Sequence, residues 1–97
     1  MSLNEKDIEF IRQFFADKPV KKAYLFGSYS RNEAAIDSDI DILVELDYSY
    51  HIGLAFFKMQ RDLEQRLNKK VDLVSYESLS KRILPFINDD KKLIYEK

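Results

Sequence analysis

The 97-residue sequence predicts an α/β (α+β) fold, a small mixed β-sheet flanked by helices, in a single domain over residues 1–97. Three observations predict it. Apolar residues recur at helical spacing near the N-terminus and again from Ile52 to Leu67, while residues 21–26, 39–46 and 70–76 read as short strands. The polar residues that stand out sit at strand ends: Gly27-Ser28 closes the first strand, Asp39 and Asp41 open the second, and Asp72 comes early in the third. If they share one site, strands one and two run antiparallel. Strands two and three, joined by a helical crossover, run parallel. Finally, this length has room for one core.

In chain order, Asn4 is a candidate N-cap, with Glu5 and Asp7 in the first turn where the helix dipole favours acids. Ile8, Ile11 and Phe15, widened by Phe10 and Phe14, form the apolar stripe of that helix, and Pro19 closes it. After the first strand, residues 28–33 read as a turn of helix and 34–38 as a loop. In the second strand Ile40, Ile42, Val44 and Leu46 alternate with Asp39, Asp41, Leu43 and Glu45, giving one buried face and one that begins with acids. A loop over 47–51 leads to a helix expected over 52–67, striped by Ile52, Phe56, Met59, Leu63 and Leu67 and capped by Asn68. Past the third strand, Ser78 or Ser80 is expected to start a helix that bends or ends near Pro85. The tail from Lys91 fits either an edge strand or a helical turn. No linker, repeat or low-complexity segment interrupts the chain.

Sixteen basic residues against seventeen acidic ones argue against broad electrostatic binding of nucleic acid, but not against one nucleotide held through metal. The absence of cysteine excludes disulfides and thiolate chemistry and is compatible with a reducing cytoplasm. No apolar run approaches the roughly 18 residues of a membrane span, and the N-terminal residues lack a signal pattern. The expected location is cytoplasmic.

The chemistry concentrates in residues 25–45. Gly27 lets the backbone approach a ligand, and Ser28 adds a hydroxyl to the N–H groups of the expected helix start, an anion cradle. Asp39 and Asp41, two apart, leave the same face of a strand. Clustered carboxylates repel unless cations sit between them. Mg²⁺, which favours a few carboxylates plus substrate phosphates, suits such a set. A calcium loop starting at Asp37 is excluded, since it would need Gly at position 42 and Glu at 48 where the chain has Ile42 and Tyr48. His51 reads as uninvolved. Tyr48 and Tyr50 read as loop surface or, if they lie near the site, as residues that stack on a base or contact a partner. The pairs Lys21-Lys22, Lys69-Lys70 and Lys91-Lys92 read as solvated ends of elements.

At these residues the chain resembles the nucleotidyltransferase superfamily typified by DNA polymerase beta, and within it the minimal, antitoxin-type nucleotidyltransferases. Gly27, Ser28, Ser30, Arg31, Ser38, Asp39 and Asp41 match the family pattern. Asn32 stands where the family usually has Gly, a mild departure because Asn is the next residue to tolerate a positive φ. The resemblance implies the polymerase-beta-like fold and transfer of a nucleoside monophosphate, AMP from ATP, to a hydroxyl. It implies that Asp39 and Asp41 bridge two Mg²⁺ ions and that Asp72 holds the ion nearer the acceptor and helps remove its proton. Gly27 and Ser28 would grip the triphosphate; for Arg31, a phosphate contact and a salt bridge to an acid both stay open. The implied partner is a HEPN-domain toxin modified on a tyrosine. Two other readings remain: a non-catalytic antitoxin that neutralises its partner by binding alone, and a free-standing enzyme whose acceptor pocket a homodimer completes.

Overall fold

The computed structural model describes residues 4–27 and 39–97; the expected helical turn and loop over 28–38, with Ser28, Ser30, Arg31, Asn32 and Ser38, lie outside them. Helix α1 (Glu5–Ala16) starts where its cap dictates, with extended Asn4 accepting through Oδ1 from Asp7 N at 2.8 Å. Its stripe points inward, Ile11 and Phe15 being fully buried. Strands β1 (Val20–Phe26), β2 (Ile40–Leu46), β3 (Val71–Ser75) and β4 (Lys92–Glu96) form one sheet in the order β3-β2-β1-β4. β1 is antiparallel to β2 and β4, and β2 is parallel to β3. The expected mixed sheet is thus the observed one. The tail, left open by its sequence, is the edge strand, tied to α1 by Arg12 Nε donating to Ile94 O at 2.7 Å.

Helix α2 (Ala55–Leu67) carries the chain from β2 to β3 and ends on Asn68 in the left-handed conformation, φ 54°. It starts at Ala55 rather than Ile52. Gly53, at φ 46°, turns the chain first, and Ile52 packs on the core from outside the helix. One turn apart on α2, Gln60 and Glu64 accept from Leu73 N at 3.1 Å and Val71 N at 3.2 Å. Those N–H groups belong to the outer edge of β3, so the helix covers a sheet edge that would otherwise offer free donors. Beyond β3 a 3₁₀ turn (Tyr76–Ser78) precedes α3 (Leu84–Asp90). Pro85 begins α3 instead of ending a helix from Ser78 or Ser80. In a first turn its missing N–H has no intrahelical acceptor to lose. Ser80 makes only the lead-in turn, accepting from Ile83 N and Leu84 N. No helix among the described residues is long and apolar enough to cross a membrane.

Strand alternation gives the sheet two unlike faces. Ala23, Leu25, Ile40, Ile42, Val44, Val71 and Leu73 join Ile11, Phe15, Met59 and Leu63 in one cluster under α1 and α2. The opposite face carries Phe26, Asp41, Leu43, Asp72 and Val74. Leu43 is fully buried there, outside that cluster, and Ile87 of α3 is buried outside it too. Lys91, next after α3, sets its ammonium 4.5 Å from the ring centroid of Tyr24, the register partner of Leu43. The end of α3 therefore lies on this second face, and β2 is buried on both sides at Leu43.

Candidate active site

β2 begins beside β3 because Ile40 N donates to Lys70 O at 2.9 Å. From that anchor the parallel register pairs Asp41 with Asp72, and the antiparallel register pairs Phe26 with Asp41. Partners on adjacent strands lie about 4.8 Å apart and point to the same face. Asp72, Asp41 and Phe26 thus form one row across the sheet, on the face away from the main core. Asp39, exposed, stands two residues before Asp41 at the same end. Asp72 is exposed and Asp41 half-buried.

Gly27, the residue after Phe26, has φ 71°. A Cβ built there would run into the Asp41 carboxylate. Any side chain at position 27 would both strain the backbone and fill the space beside that acid. The glycine, the last described residue before position 39, therefore leaves a cradle open against Asp41. This is the observation that fits divalent metal: hard oxygen donors on one face, one of them packed against a backbone position that carries no side chain. As the side chains stand, no three acids or histidines among the described residues come together as a ready metal-ligand group. Asp41 and Asp72 are brought into one row, with Asp39 at its rim.

Ser28 and Arg31 lie outside the described residues. Tyr48 and Tyr50 follow the far end of β2, roughly 20 Å along the strand direction from Asp41 at 3.4 Å per residue, too far to stack on a base held at the acids. Tyr48 instead donates to Glu77 at 3.0 Å. Lys22, Lys69 and Lys91, one from each of the lysine pairs expected to be solvated, are half-buried, and Lys91 lies against the rings of Tyr24 and Tyr76. Phe26 has no motif to mark it; only strand register brings it beside Asp41. The clefts on the helix side, such as the one between α1 and α2 lined by Phe10, Phe14, Asp62 and Arg66, do not touch the acid row.

The polymerase beta nucleotidyltransferase domain family matches residues 9–97. A Methanocaldococcus jannaschii protein is 45% identical over 60 residues, covering 62% of this chain and 63% of its own length. The protein adenylyltransferase MntA of Thermococcus cleftensis is 42% identical over 64 residues, covering 66% and 64%. This chain thus spans less than two thirds of those relatives. Among solved structures, a chain of a toxin–antitoxin crystallised with AMP-PNP superposes with TM-score 0.78 at 29% identity, over 98% of this chain and 75% of that one. A chain from a tri-AMPylated Shewanella oneidensis HEPN toxin in complex with its MNT antitoxin superposes with TM-score 0.75 at 25% identity, over 98% and 74%. With the family match running over nearly its whole length, this chain belongs to the polymerase beta nucleotidyltransferase family.

Proposed function

We propose that this chain transfers AMP from ATP to a hydroxyl, with a tyrosine of a HEPN-domain toxin as acceptor, and so acts as an antitoxin. The carrying observation is the row of Asp41 and Asp72 beside the Gly27 cradle, at the one sheet end where β1 finishes and β2 and β3 start. The similar proteins support the substrate and the partner: one is named a protein adenylyltransferase, one was crystallised with AMP-PNP, and one is a complex with an AMPylated HEPN toxin.

In this reading the acceptor oxygen attacks the α-phosphorus, the bond from that phosphorus to the β-bridging oxygen breaks, and pyrophosphate leaves. Gly27 admits the triphosphate to the backbone, with Ser28 and Arg31 as the expected phosphate contacts. Asp39, Asp41 and Asp72 would hold Mg²⁺, two ions in the family pattern, which when bound supplies charge neutralisation at the attacking and leaving oxygens. Asp72, on the outer strand of the row and open to solvent, receives the proton of the acceptor hydroxyl.

The test is incubation with labelled ATP, Mg²⁺ and the product of the gene adjacent to this one, which this reading expects to be a HEPN-domain protein. Label should appear on a tyrosine of the partner and be absent with Asp41→Asn. A partner neutralised without label would replace catalysis by binding alone.

A further inference from the structure

We propose that Lys91 is a further nucleotide-binding residue, whose ammonium holds the β- and γ-phosphates of the substrate and then the departing pyrophosphate. This deepens the nucleotidyltransferase reading and rests on it. The argument starts from register. β4 runs antiparallel to β1, with Lys92 opposite Leu25. One step back along β4 and one step on along β1 sets Lys91 level with Phe26, in the row that continues through Asp41 to Asp72. Two strand spacings, about 10 Å, separate Lys91 from Asp41 at the backbone. Gly27 follows Phe26, so at the backbone Asp41 lies on its β2 side and Lys91 on its β4 side, while the lysine's ammonium rests over Tyr24 and Tyr76 and would swing on its four-carbon stem to reach an anion there.

The ammonium is on the acid face, 4.5 Å from the centroid of Tyr24 and 5.4 Å from that of Tyr76. Among the described residues it forms no ion pair with a carboxylate. Ring faces attract a cation weakly compared with a charge-assisted hydrogen bond to phosphate oxygen. A lysine on a flexible four-carbon stem, resting on two rings, is free to exchange them for an anion arriving at Gly27.

A lysine that only braces α3 against the sheet would predict something else, and Lys91→Met separates the two because it keeps the apolar stem and removes the charge. Binding is measured by calorimetry with three probes: AMP-PNP with Mg²⁺, pyrophosphate with Mg²⁺, and AMP. Lys91→Met should weaken AMP-PNP and pyrophosphate roughly tenfold while leaving AMP binding and the melting temperature as in the parent, and Lys91→Arg should recover most of the loss. Unchanged AMP-PNP and pyrophosphate binding in Lys91→Met overturns the assignment, as does an equal loss for AMP. A parent protein that binds AMP-PNP no better than AMP, or not at all, instead sinks the nucleotidyltransferase reading beneath it.

Discussion

On the face beneath α1 and α2, β2 presents Ile40, Ile42, Val44 and Leu46, all buried; on the other it presents Asp41, Leu43 and Glu45, of which Leu43 alone is fully buried. β3 repeats the contrast with buried Val71 and Leu73 against exposed Asp72. The same backbone hydrogen bonds thus hold two surfaces with different physical demands. The helix-side face is packed to exclusion of water and supports the fold. The acid face stops being apolar one step before the strand ends, and there it leaves charge accessible to a ligand. Because neighbouring residues on a strand face opposite ways, a protein can keep charged groups a few ångströms from its core without burying them.

If that division is right, substitutions on the two faces should separate stability from activity. The largest effect expected is Phe15→Ala, which empties a fully buried site in the main cluster and should cost about 3–5 kcal/mol in denaturant unfolding. Whatever remains folded should still bind nucleotide, and a selective loss of binding would break the comparison. On the acid face, Asp41→Asn should lower AMP transfer roughly 100- to 1,000-fold, the scale of removing one preorganised charge-stabilising group, with the melting temperature nearly unmoved. Gly27→Ala sits between the two classes. Its positive φ costs roughly 1–2 kcal/mol, and the new methyl meets the Asp41 carboxylate. It should therefore lose both some stability and the melting-temperature rise produced by Mg²⁺ and AMP-PNP.

Smaller effects sharpen the edges of the picture. Gln60→Leu removes the acceptor for Leu73 N and should destabilise by about 1–2 kcal/mol, with faster amide exchange confined to β3. The smallest effect belongs to Asp47, far from the acids. Ser49 donates to it from Oγ at 2.7 Å and from the backbone at 3.1 Å, and these bonds hold its carboxyl below the usual value. A lowered pKa in the fold contributes stability above the unfolded value near 3.8, and that contribution is lost as pH falls through the folded value. Asp47→Asn should therefore differ slightly from the parent near pH 6 and converge with it in strong acid, as melting curves against pH would show.

Helices α1 and α2, the first three strands and their relative directions were legible because each has a local physical cause. Asn4 caps, Asn68 takes a left-handed turn, and apolar residues return at 3.6 or 2. The acids were legible for the same reason, since a spacing of two needs no partner to be read. The start of α2 and the role of Pro85 were not: Gly53 and Pro85 are each compatible with ending or beginning a segment, and packing chooses. Nor could the tail choose between strand and helix without β1 to pair with. What the sequence alone determined, then, is which residues share a strand face, where α1 starts on Asn4 and where α2 ends on Asn68, because those are interactions among neighbours along the chain. What only the tertiary structure decided is the register between the strands and the place of β4 beside β1. That alone brings Asp72 level with Asp41, burial to Leu43, and the Lys91 ammonium from near the end of the sequence onto the ring of Tyr24.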